Sequence, residues 1–233
     1  MRWYRESDVR QSGHCWSRPG DPCRQRSHRE KQFDETIPVH RGRVGRPKCE
    51  VLARELRSRN SAVEISLMQR RIINRADLDT LTKADLIVLS ADSPGITELV
   101  NAHCVTTGQV WLNVCYVNDI AVWGPLVIPG VTGCWACQRL TARDSSGNTE
   151  LDILVSRINS RYQSPSHGST NMPAAVLASL DVLKYLGGFG SVQSLNRRVG
   201  LWTHELRLDE QSSPRNPECP ASGSIRASSK SSV

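Results

Sequence analysis

The sequence predicts an α/β fold: a Rossmann-like, mostly parallel sheet with flanking helices and an antiparallel extension carrying a CxxC clip. Three observations predict it. A buried-looking run, Leu86-Ile87-Val88-Leu89, stops abruptly at Ser90-Ala91-Asp92-Ser93-Pro94, as a central strand does at its carboxyl end. Segments of helix and strand character alternate from Lys48 to Cys115, which favours parallel strands covered by helices. The chain then changes character and reaches Gly133-Cys134-Trp135-Ala136-Cys137, whose paired cysteines can hold a metal.

The elements follow in order. Gly45-Arg46-Pro47 leads into a helix from Lys48 to Arg59. Pro47 suits a first turn, Val51, Leu52 and Leu56 make an apolar stripe, and Glu50/Arg54 and Glu55/Arg59 have surface-pair spacing. Ser61 to Leu67 alternates as a strand would, with Val63, Ile65 and Leu67 set against Glu64 and Ser66. Asp77 to Lys83 is a short helix or turn before the strand at Leu86. Pro94 opens a helix to about Val105, and Val110 to Cys115 is the next strand. Ile120–Trp123 and Leu126–Ile128 flank Gly124-Pro125, so antiparallel strands or a hairpin-like turn lead to the CxxC. Thr141 to Thr170 is a polar crossing loop that admits a helix at Leu151 to Ser160. Asn171 caps a helix with Ala175, Val176, Leu180, Leu183 and Leu186 on one side and Gly187-Gly188 at its stop. Arg198 to Leu208 alternates as a late strand pair, and the chain has no internal repeat.

A length of 233 residues suffices for one sizeable domain with ragged ends. Residues 1–43 are rich in Arg, His and Gln without a sustained apolar period. The folded body occupies 44–209, and 210–233 is a Ser/Pro-rich tail, expected to be disordered, that holds the remnant of a zinc half-site. The formal charge is +7, and much of the excess is scattered through the first segment. Scattered arginines do not line a recognition helix, so nucleic acid is not an expected partner. No apolar run approaches the roughly 20 residues that span a bilayer, and no signal peptide opens the chain, so a cytoplasmic protein without a membrane partner is expected. The eight cysteines are irregularly spaced, which fits reduced thiols beside one metal-type pair better than a disulfide framework.

Asp92 is the first candidate for chemistry. A carboxylate just past a strand's carboxyl end stands where open α/β sheets bind ligands, and it can hold magnesium and orient a triphosphate. The same position can instead cap the helix that Pro94 opens. Lys48, near a helix start, can neutralise phosphate charge or simply sit in solvent. Cys134 and Cys137 have the spacing of half a tetrahedral zinc site, and Cys219 is the only later cysteine. Its segment reads Cys219-Pro220-Ala221-Ser222, so a fourth thiolate is missing. The site then has three thiolates with a water or His204, or it binds zinc feebly. No cysteine lies between Gln138 and Glu218, which excludes a thioester relay there, and no GxGxxG occurs anywhere.

Several segments together resemble a known family. They are Val44-Gly45-Arg46-Pro47-Lys48, the strand end at Asp92, and Asn101 with Cys104. The run from Tyr116 to Pro125, the Pro129-Gly130 before Cys134 and Cys137, and the run from Asn196 to Trp202 complete the set. They are similar to the ThiF/MoeB/HesA superfamily of ubiquitin-activating-type adenylating enzymes, and within it to the branch that builds microcin-like peptide antibiotics. The resemblance covers about Val44 to Gly223. It implies a homodimer that uses ATP and magnesium to adenylate the C-terminal asparagine of a short ribosomal peptide; that residue then cyclises to a succinimide and is joined to AMP. In this likeness Asp92 is the magnesium and nucleotide carboxylate, and Lys48 contacts phosphate. Ser27, Lys31 and Gln32 echo the family's SNLxRQ element, which makes Lys31 and Gln32 nucleotide contacts. Cys134, Cys137 and Cys219 become zinc ligands, an incomplete set with Ser222 at the fourth place. The family's first strand and glycine-rich loop have no counterpart in 1–43, so the chain is expected to be amino-terminally truncated. A noncatalytic relative that serves as a dimerisation or peptide-docking subunit is the alternative expectation.

Overall fold

The computed structural model describes residues 45–81, 83–138 and 167–225. These fall into two units divided after Arg70.

The first unit holds helix α1, Lys48–Arg59, which Pro47 precedes as N-cap. Val51 and Ala53 are buried, whereas Leu52 and Leu56 of the expected stripe are about half exposed. The strand expected at Ser61 to Leu67 does not form, and residues 63–70 lie outside any helix or strand. Alternation makes a strand only where a neighbouring strand supplies ladder bonds. Here the Ile65 carbonyl instead accepts a hydrogen bond from Arg57 Nη2 of α1 at 2.7 Å.

The second unit is a five-stranded sheet in sequential order. It contains α2 (Arg75–Asp79), β1 (Ile87–Leu89), α3 (Ile96–Thr107), β2 (Trp111–Val117) and β3 (Ile120–Val127). After them come α4 (Gly168–Gly187), β4 (Arg197–Trp202) and β5 (Arg207–Ser212). β1 and β2 are parallel across α3, and the later strand pairs β2–β3, β3–β4 and β4–β5 are antiparallel. Among the described residues, then, the parallel part of the sheet is one β-α-β unit and the antiparallel part dominates.

The reversal between β2 and β3 lies at Asn118 and Asp119, where Asn118 takes φ 53°. Gly124-Pro125, read from sequence as the break of a hairpin, instead lies inside the continuous strand β3. Glycine is required there by close approach. At φ 87° a Cβ would stand 2.6 Å from the Arg197 carbonyl oxygen and 2.8 Å from Ser194 Cβ.

Two apolar clusters cover the two faces of the sheet. On one, Leu89, Ile96, Val100, Cys104 and Trp111 pack with Cys134, Cys137 and Cys219. On the other, Leu112, Val114, Trp123, Leu126 and Val199 pack with Ala174 and Ala178 of α4. Trp111 and Leu112 serve opposite faces because neighbouring strand residues point oppositely, and Val114, two residues on, shares the α4 side with Leu112. An irregularity in the pairing opposes three steps of β3, Trp123 to Leu126, to two of β2, so that Trp123 and Leu126 both face α4.

α4 begins three residues before the expected Asn171 cap, because the His167 imidazole accepts from the Ser169 amide. Its small-residue side, Thr170, Ala174, Ala178 and Asp181, is buried. Val176, Leu180, Leu183 and Leu186 of the apolar side are 47–58% exposed. Small residues let the helix lie close to the sheet, and the larger apolar residues are displaced outward.

Among the described residues, 210–225 are structured where the sequence suggests a disordered tail. β5 continues to Ser212, and Ser213, Cys219 and Ser222 beyond it are buried.

Candidate functional site

Asp92 lies on the exposed loop between β1 and α3, just past the strand's carboxyl end. The N-cap residue of α3 is Gly95 at φ 77°, three positions after Asp92. Its position is the carboxyl end of the parallel strand β1, the place where such sheets bind ligands. Lys48 is the first residue of α1 in the other unit and is half-buried. Lys31 and Gln32 lie outside the described residues, as do Ser27 and the expected helix at Leu151 to Ser160.

The cysteine cluster is built from three separate stretches. Cys134 follows the 128–133 turn, Cys137 lies in the short helical turn at 135–138, and Cys219 arrives after β5. Their Sγ atoms all lie within 4.8 Å of one another, and all three residues are buried. Cys134 Sγ stands 3.7 Å from Cys137 Sγ and 3.7 Å from Cys219 Sγ. Ser222 Oγ is 3.4 Å from Cys137 Sγ. A zinc ion bound at 2.3 Å to tetrahedral thiolates sets sulfurs about 3.8 Å apart, so the spacing matches that ligand set. His204, the other expected fourth donor, is not in the cluster. It sits beyond β4 with Nδ1 against Asp119 and Nε2 3.3 Å from Glu205.

Two asparagines position the clip, a role that sequence reasoning missed although both lay within segments it had singled out. Asn101, 3% exposed on α3, accepts from the Trp135 amide at 3.0 Å and points Nδ2 at Cys134 Sγ, 3.8 Å away. Asn196, at φ 54°, accepts from the Gly133 amide at 2.8 Å. Gly133 admits no side chain, because a Cβ would fall 2.0 Å from the Ser213 carbonyl oxygen. That close approach brings the chain after β5 back over the clip.

Electrostatics separate the thiols. Cys137 is pulled down to about 4, first by its hydrogen bond with Cys134 and then, against the effect of burial, by Ser222 and the Asn216 amide. Cys134 is pushed up by the same bond and by burial. The bond between the pair thus favours the charged form at Cys137 and disfavours it at Cys134, and the Asn216 amide stands 3.5 Å from the Cys137 sulfur. Cys104, fully buried among apolar side chains, is raised to about 11 by burial and is an inert core thiol.

Comparison with known proteins places these features. The ThiF family model matches residues 36–221. The crystal structure of E. coli MccB with succinimide superposes with a TM-score of 0.76 at 35% identity, covering 86% of this chain and 57% of that one. E. coli MccB with ATP gives a TM-score of 0.75 at 35% identity, covering 85% and 57%. The sulfur carrier protein ThiS adenylyltransferase of Escherichia coli (strain K12) is 24% identical over 94 residues, 40% of this chain and 38% of its own length. The chain therefore spans just over half the length of MccB and less of the ThiS enzyme. With the family model covering most of its residues, this chain belongs to the ThiF family.

Proposed function

We propose that this chain is an ATP-dependent adenylyltransferase of ThiF/MccB type that activates the C-terminal carboxyl of a short ribosomal peptide ending in asparagine, in the making of a microcin-like peptide antibiotic. The observation that carries this reading is the 34–36% identity, over about 85% of the chain, to MccB structures that include complexes with ATP and with MccA. In the reaction a peptide carboxylate oxygen bonds to the α-phosphorus of ATP and pyrophosphate leaves. In this reading Asp92 holds magnesium, while Lys48, Lys31 and Gln32 contact the nucleotide. Magnesium there would neutralise phosphate charge and fix the triphosphate's orientation.

Zinc belongs to the same reading as a structural ion held by Cys134, Cys137 and Cys219, with Ser222 at the fourth place; the observed sulfur spacing supports it. Serine is the weak member of that set. Ser222→Cys is expected to tighten zinc at least about tenfold by completing four thiolates, measured by competition with a chromophoric chelator. Unchanged affinity would show that Ser222 is not at the metal.

A homodimer completes the proposal. The outward Val176, Leu180, Leu183 and Leu186 of α4 give a second copy an apolar face to cover. No helix among the described residues is long and apolar enough to cross a membrane. The reducing cytoplasm suits thiols that serve as metal ligands.

ATP–pyrophosphate exchange tests the function. Exchange is expected only with magnesium and a peptide bearing a free C-terminal carboxyl, and not with the same peptide amidated. Peptide binding without exchange across a panel of asparagine-ended peptides would overturn the catalytic reading in favour of a docking subunit.

A further inference from the structure

At the amino end of β1, away from the Asp92 loop and the cysteine cluster, α2 and α3 enclose a cavity of about 240 Å³. Its wall includes Leu78, Asp79, Leu81, Lys83, His103 and Gln109. His103, on α3, has a side chain only 9% exposed, and its Nδ1 atom is buried with no hydrogen-bond partner. Asp79, the last residue of α2, places Oδ1 3.3 Å from that nitrogen. The two atoms are close without being aligned as donor and acceptor.

The geometry points to a divalent transition-metal site made by His103 Nδ1 and the Asp79 carboxylate. An ion about 2.0–2.2 Å from an imidazole nitrogen and a carboxylate oxygen holds those atoms roughly 3.0–3.4 Å apart in tetrahedral or octahedral geometry, which includes the separation found. A neutral imidazole nitrogen suits zinc, cobalt or nickel and does not suit magnesium or calcium. The other polar groups in the wall are engaged elsewhere or face water. Gln109 Nε2 donates to the carbonyls of Ala84 and Val110, and Thr107 Oγ1 donates to the His103 carbonyl. Lys83 is exposed at the rim. Water completes the coordination, and the cavity has room for it. The ion joins the end of α2 to the middle of α3, so it ties these helices together from the end of β1 opposite Asp92.

The test is a titration of the metal-free full chain with Co²⁺, followed by calorimetry and absorption. One equivalent is expected to bind without adding thiolate-to-cobalt charge-transfer absorption, which separates it from any ion at the cysteine cluster. That equivalent disappears in His103→Ala and in Asp79→Asn, and it persists in His204→Ala, where the other described histidine–carboxylate pair is removed. Asp79 is more than half exposed, so its isosteric replacement keeps the fold even where the His103 variant does not. The proposal is overturned if the unaltered chain binds no such equivalent, if it survives Asp79→Asn, or if His204→Ala removes it.

Discussion

Replacing Asp92 with asparagine is expected to lower peptide-dependent ATP–pyrophosphate exchange about 1,000-fold while leaving thermal unfolding unchanged. The argument starts from position: the carboxylate follows the carboxyl end of β1, on an exposed loop, three positions before the Gly95 N-cap of α3. Asparagine has the same shape and no charge, so it removes the proposed magnesium ligand and leaves the backbone alone. Stabilisation of transferring phosphate by a correctly held cation is worth several kcal/mol, and about 4 kcal/mol corresponds to the stated factor. Stability should move by no more than about 0.5 kcal/mol, as for exposed polar sites generally. Exchange within threefold of the unaltered chain would remove Asp92 from the chemistry.

Asp181→Ala is expected to give the largest loss of stability, about 3–5 kcal/mol in urea unfolding. The residue is 1% exposed on α4 and accepts three hydrogen bonds: from Trp123 Nε1 at 3.2 Å, the Gln193 amide at 2.8 Å and the Ser194 amide at 2.9 Å. One carboxylate thus binds α4 to β3 and to the loop that enters β4. Alanine leaves three donors without their acceptor, and each unpaired buried donor costs about 1–3 kcal/mol, less than additively because they share one site. The indole N–H resonance of Trp123 supplies a local readout and should lose protection from exchange as water reaches the indole. A loss below 1 kcal/mol would mean that neighbouring groups or water satisfy those donors.

The parts of the fold legible in the sequence are those fixed by local chemistry. The apolar run at Leu86, the Pro94-Gly95 break and the run from Val110 specify β1, α3 and β2, because burial and backbone limits act within a few residues. Ser61 to Leu67 was not legible, since strand formation depends on a partner that alternation does not reveal. The reversal at Asn118-Asp119 was overlooked because Gly124-Pro125 offered a louder turn signal, although that glycine serves a tight approach between strands. On α4, apolar spacing marked one side, while contact with the sheet was decided by Ala174 and Ala178 and by the buried Asp181 side chain; side-chain size and a distant hydrogen-bond set govern that choice. The cysteine cluster was legible from residue type and count. Its asparagine supports were not, because amides at Asn101 and Asn196 acquire their role only from backbone groups 34 and 63 positions away.

The distance along the chain between Cys134 and Cys219 has a consequence of its own. These sulfurs meet across 85 positions, so an ion shared between them closes a long loop. By analogy with a covalent cross-link, such a closure restricts the unfolded chain by about 4–5 kcal/mol. Chelation would relax that restriction where it ends, letting the segment beyond Ser212 peel from the cysteine clip ahead of general unfolding. Limited digestion in the presence of a chelator should accordingly clip this carboxyl-terminal strap first and leave β1 to β5 as a resistant remnant.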